Sequence, residues 1–226
     1  MLCALFLLLA STACRPHWTP PLKPDPEQIL HEAEADILAK RYEDALAKHV
    51  WFHQNALKLD PSFRGVRLSF ALRSWVELGA IYPPALAKLQ NLRDEAAAHV
   101  REGDHVWEAF KDFKSINKTL GNEDQTKDLF IWLHSNKPTV AKEVFGLAEP
   151  ALIKAKEYRL CGGYLEAEAS FQKQLNLYRE HLKFAQKSQF GKRTQEFGEE
   201  RFSNSTATLV ALLVLNERKS LSEKSG

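Results

Sequence analysis

A strong net charge, catalytic signatures, paired cysteines and a membrane-length apolar run are all lacking. Lys plus Arg number 31 against 29 Asp plus Glu, and these charges are scattered along the chain. Binding a phosphate backbone needs cations concentrated on one face, so nucleic acid is not an expected partner. No G-x-S-x-G elbow, phosphate loop or dinucleotide fingerprint occurs, and Gly162-Gly163 lacks the third glycine that a phosphate cradle needs. Glu199 and Glu200 lie in a mixed-charge stretch and read as a wetted face. These absences point to a non-catalytic protein that needs no cofactor. Of only three cysteines, Cys3 and Cys14 lie near the N-terminus, which leaves Cys161 without an intramolecular partner and reads as a small core residue. Apolar residues recur at intervals of three and four with no convincing period-two run, so the fold class is all-α.

Among what is present, 44% hydrophobic composition suffices for one core or a short run of stacked helical units. The N-terminal "MLCALFLLLASTAC" carries an apolar run from Leu2 to Ala10. It falls short of the ~20 residues of a membrane-crossing helix but suits the apolar part of a secretory signal. Small residues Ser11, Thr12 and Ala13 then lead to Cys14. The arrangement resembles a bacterial lipobox, which implies removal of residues 1–13 and acylation of Cys14; ordinary cleavage after Ala13 and a buried N-terminal helix are the alternatives. Residues 14–26 include "RPHWTPPLKPDP", which is proline-rich and reads as an extended tether.

The helices announce themselves by their ends. Asp25 is placed to cap the first, with Pro26 at its first position and Gln28 as reciprocal partner. A break at Lys40 and Arg41 precedes a second helix, Tyr42 to Leu59, ended by Asp60-Pro61-Ser62. A third, Arg64 to Ala80, carries Leu68, Leu72, Trp75 and Leu78 on one face. Pro83 and Pro84 end it, Gly79 admits a close neighbour, and a partner helix runs from Ala85 to Val100. Asp104 is expected to cap a helix bearing Val106, Phe110, Phe113, Ile116 and Leu120. Gly121 ends that helix, and Asn122 with Gln125 forms a capping box for the next, which Pro138 stops. Pro150 is expected to kink or split the segment from Val140 to Cys161. A helix from Leu165 to Lys187 has a seam of Phe171, Leu175, Tyr178, Leu182 and Ala185 that an internal neighbour should cover. The final helix contains "TLVALLVL", Thr208 to Leu215.

"WVELGAIY" from Trp75 follows the opening of a tetratricopeptide repeat but is cut by the prolines and reads as a match by accident. Three other windows share the pattern better: "YEDAL" from Tyr42, "GGYLEAEASF" from Gly162, and the unit Trp107 to Val140 with Gly121 at its turn and Pro138 at its end. The chain resembles a degenerate tetratricopeptide array over residues 27–190. That resemblance implies an α-solenoid of antiparallel helical hairpins with about 8 helices, a C-terminal capping helix at 191–218 and a disordered tail at 219–226. It also implies a concave groove for an extended peptide. The family's groove positions fall on Lys111, Ser115 and Lys118, and the turn at Gly162 places Lys156 and Arg159 similarly. Cations gathered there would attract an acidic peptide.

The expected function is therefore that of an exported, lipid-anchored adaptor in the bacterial periplasm or outer membrane, binding a protein or peptide. Two other classes stay open. A glycan binder would use Trp51, Phe52, Trp107 and Trp132. A metal-dependent hydrolase would use His49 and His53, one helical turn apart; but Val50 follows His49 where a zincin has glutamate, so no metal is expected and the pair reads as structural. His99 and His105 flank Glu102 and Asp104 in what reads as a solvated connection.

Overall fold

The computed structural model of the chain describes residues 17–187 and 191–224, with side chains as far as residue 217. The expected signal and Cys14 lie outside the described residues. Eleven helices and no strand occur among the described residues, so the all-α class holds with more helices than about 8. None is long and apolar enough to cross a membrane. The chain divides into two compact units, one through Arg93 and one from Asp94.

In the first unit, α1 (Pro26–Leu38) is capped by Asp25, whose Oδ1 accepts from the backbone N–H of Glu27 at 2.9 Å. The reciprocal half of the expected box is absent, because the Gln28 amide donates instead to Glu32 one turn on. Lys40, at φ 59°, turns the chain into α2 (Tyr42–Leu59), whose bounds match the sequence reading. The expected third helix is broken. A 3-10 turn (Pro61–Phe63) leads into the short α3 (Arg64–Arg67), and Ser69 leaves the helical region before α4 (Phe70–Ile81). At the break Arg67 is buried against α2, with its Nε donating to the His53 carbonyl at 2.6 Å. Periodicity could not reveal this, since Leu68 and Leu72 keep helical spacing across the break.

Tyr82 separates α4 from α5 (Pro83–Glu102), and the prolines start α5, with Pro83 as its first residue. A proline costs least there, where its missing N–H has no intrahelical acceptor. Gly79 works as read: a Cβ on it would stand 3.0 Å from the Leu86 Cβ and 3.2 Å from its Cα. The core of this unit holds Ile29, Phe52, Leu72, Trp75 and Leu78.

The tether reading needs correction at one point. Trp18 is docked on the α1–α2 pair, its N–H donating to Asp44 Oδ1 at 3.2 Å and its ring lying edge-on to Trp51.

The second unit contains α6 (Val106–Leu120), α7 (Glu123–Asn136), α8 (Pro138–Lys154), α9 (Tyr158–Gly162), α10 (Ala167–Lys187) and α11 (Gly191–Lys224). Sequence neighbours pack together: α6 on α7, α7 on α8, and α10 on α11. Gly121, at φ 72°, ends α6 as expected. Two caps differ. His105 occupies the N-cap position of α6 in a left-handed conformation, and Asp104 instead reaches His99 Nδ1 at 3.1 Å. Asn122 precedes α7 without a side-chain cap, so the expected box with Gln125 does not form. Pro150 does not split its helix, since α8 continues through it to Lys154. The helix α11 extends to Lys224, through most of the segment read as a tail.

The core of the second unit is built from Phe110, Phe113, Phe130, Leu133, Val144 and Leu152. Tyr164 is wedged between helices, stacked on Phe145 at 5.0 Å and edge-on to Phe130 at 5.3 Å. The seam of α10 packs on α11, with Tyr178 stacked on Phe202 at 5.1 Å, though of its residues only Ala185 is buried. Cys161 is fully buried, and burial together with the nearby Glu149 charge pushes its thiol up to about 11. It is an inert core group.

A candidate binding groove

Within the second unit, three helices each leave one face incompletely covered. On α8 this face is Lys142, Phe145, Gly146 and Glu149; on α10, Ser170, Lys173, Gln174, Leu177, Tyr178 and His181; on α11, Gly198, Arg201, Phe202, Ser205 and Leu209. The spacings of three and four put each set along one side of its helix. The adjoining side of α8, Ala141, Val144, Ala148 and Leu152, is in the core. The three faces enclose a cavity of about 380 Å³, which Trp107 of α6 and the Leu165-Glu166 loop complete.

Its walls suit an amphipathic guest. Phe145, Tyr178, Phe202 and Trp107 supply aromatic surface, while Lys142, Lys173 and Arg201 face Glu143, Glu149 and Glu166. Lys142 and Glu166 are tied to each other at 2.8 Å. Burial raises the Glu149 carboxyl above its ordinary value, and the Lys173 charge opposes that shift. A partly desolvated carboxylate beside aromatic rings receives an apolar or donating group and repels a second carboxylate, so any acidic residues of a guest belong outside this part of the cavity. Gly198 allows α10 and α11 to close on this wall, as a Cβ there would stand 3.0 Å from the His181 Cβ.

Of the cations expected in a groove, Lys111 and Lys118 lie on α6 in line with Trp107, at intervals of four and seven residues. Lys111 Nζ sits 5.2 Å from the Trp107 ring centroid and 3.2 Å from Glu108 Oε1. Ser115 is half-buried beside that line, with its carbonyl accepting from Thr119 at 2.9 Å. Lys114, which the sequence reading omitted, belongs to the same line. Burial, then the charges of Lys118 and Lys111, lower its pKa. Lys156 and Arg159 are exposed on different elements: Lys156 is held at φ 64° in the turn after α8, and Arg159 lies on α9. None of the five expected cationic or hydroxyl positions lines the cavity, and only Trp107 joins the α6 line to it.

The other candidates are placed elsewhere. His49 and His53 are buried against Trp75, with ring centroids at 5.6 and 6.1 Å. The Arg67 guanidinium stands 3.1 Å from His53 Nε2, where a metal ion would be repelled. Among the described residues, no group of three or more His, Cys, Asp or Glu side chains is placed to hold a metal ion. The aromatic set does not gather. Phe52 is core, Trp51 meets Trp18, and Trp132 opens onto a separate depression under Arg101, whose guanidinium carbon is 5.7 Å from its ring centroid.

No family model, curated protein or solved structure matches the chain.

Proposed function

We propose that the chain is a non-catalytic adaptor of the bacterial cell envelope, exported and lipid-anchored at Cys14, that binds an acidic peptide segment of a partner protein. The helix pairs are read as following a degenerate tetratricopeptide plan. The Trp107 to Val140 window supports this reading, with α6 and α7 packed together, Gly121 at their turn and Pro138 after them.

The observation that carries the proposal is Trp107, where the lysine line of α6 meets the cavity. Like-charge crowding around Lys114 is relieved by an incoming carboxylate, which gives the line a reason to attract acidic residues. The aromatic walls beyond Trp107 then receive an apolar side chain of the same segment, so charge steers the partner and burial holds it. Lys156 and Arg159 form a second, separate set of exposed cations in this reading.

The test is capture from a native envelope extract on the tagged full chain. A partner held by the wild type should be lost by Trp107→Ala and by the triple change of Lys111, Lys114 and Lys118 to Ala. If it is retained equally by both variants, the groove reading fails.

A further inference from the structure

The proline-rich leader does not behave as a free spacer, because Trp18 is seated on the first helical pair by three contacts. Its backbone N–H donates to Asp44 Oδ1 at 3.2 Å. Its ring lies edge-on to Trp51 at 6.4 Å. Its face covers the Lys48 ammonium, 5.6 Å from the ring centroid.

That lysine is itself immobile. Lys48 is buried on α2, bonded to Asp36 Oδ2 at 2.7 Å and 3.3 Å from Glu32 Oε2. Arg41 bonds to the other Asp36 oxygen. A cation–π contact to a fixed, partly desolvated ammonium is stronger than one to a mobile surface lysine, so this seat can hold an indole.

Covalent geometry makes the docking consequential. Trp18 is four residue steps from Cys14, a reach of at most about 14 Å, whereas the full leader from Cys14 to Pro26 could extend about 40 Å. We infer that a chain anchored through Cys14 holds its first helical pair against the lipid surface, with the Trp18 seat, and not the leader's length, setting the distance. The inference rests on the anchor proposed above. The partner of this face of α1–α2 is a bilayer, and residues 19 to 25, which lie beyond the Trp18 seat, do not set the separation.

Two insertions test this. The full chain is produced in a bacterial host with Glu43→Cys, an exposed position beside Asp44, labelled with a donor fluorophore. Cys161 is buried, and an acylated Cys14 does not compete for the label. Energy transfer is read against a headgroup-labelled acceptor in phosphatidylethanolamine/phosphatidylglycerol vesicles. A flexible insert of about ten residues between Cys14 and Trp18 should lower transfer, and the same insert between Leu22 and Lys23 should leave it at the wild-type level. Adding Trp18→Ala should make the second insertion lower transfer as the first does. Equal losses from both insertions with Trp18 intact would overturn the inference while leaving the anchor in place. A mature chain whose mass shows no lipid on Cys14, and which fails to float with vesicles, would overturn it through loss of the anchor itself.

Discussion

Trp75 and Ala85 are joined across the two prolines between α4 and α5: the indole Nε1 donates to the Ala85 carbonyl at 2.9 Å, and both residues are fully buried. The bond spans the Tyr82-Pro83-Pro84 corner, where helical hydrogen bonding is interrupted. Trp75→Phe keeps much of the apolar contact but leaves that carbonyl without its indole donor, at an expected cost of about 1–3 kcal/mol. Trp75→Ala adds a cavity, for about 3–5 kcal/mol. Urea unfolding of the two variants should show that order.

His49 makes the fold sensitive to acid. Burial pushes its imidazole from 6.5 down to about 4, and its Nδ1 has no hydrogen-bond partner. The unfolded chain therefore takes up this proton at higher pH than the folded one. Stability from the neutral ring is full above pH 6.5 and is lost as pH falls toward 4, by up to about 3 kcal/mol. His49→Phe, which can still stack on Trp75, should flatten the unfolding free energy over that interval. An unchanged slope would show that other groups carry it.

Asp36 and Lys48 form a buried pair, and Arg41 shares the carboxylate. Asp36→Ala leaves the Lys48 charge buried with only Glu32 to offset it, so a loss of about 3–5 kcal/mol is expected. Adding Lys48→Met to that variant should recover part of the loss, because no unpaired buried ammonium remains. A double-mutant cycle by chemical denaturation checks this.

Gly162 is where α11 meets α9. A Cβ at this position would lie 2.0 Å from Asn216 Oδ1, and the Asn216 amide donates to the carbonyls of Tyr158 at 3.2 Å and Leu212 at 2.7 Å. Gly162→Ala should force the amide aside and loosen this junction. Amide hydrogen exchange around Leu212 is expected to rise, while the Gly162→Ala/Asn216→Ala double variant loses less stability than the sum of the single changes.

The helical class and several ends were legible because they rest on local chemistry. Gly121 stops α6 through its left-handed conformation, Asp25 caps α1, and the bounds of α2 follow from its flanking breaks. What escaped depends on side-chain contacts that helical periodicity and capping signals do not encode. The third helix is broken where Arg67 reaches His53 on α2, and Asp104 gives up its expected cap for His99. The groove was legible only in part. Trp107 was named only as one aromatic of a glycan site, and the expected Lys111, Ser115, Lys118, Lys156 and Arg159 lie off the cavity. Phe145, Glu149, Lys173 and Arg201 were not named, since their helical spacings match those of ordinary solvated faces. Nothing local says that α8, α10 and α11 surround one cavity. Lys114 had a local signal, its position between Lys111 and Lys118, which becomes informative once Trp107 is seen at the cavity wall.

The most direct test of the binding groove is site-specific photocrosslinking in living cells. A photoreactive residue replaces Trp107 or Lys118 in the full chain, with exposed His31 on α1 as the control position. Crosslinks from both groove positions should fall on one acidic segment of an envelope protein, and the control should not reach that segment. Crosslinks to that partner of equal strength from all three positions, or from the control alone, would contradict a binding groove at Trp107.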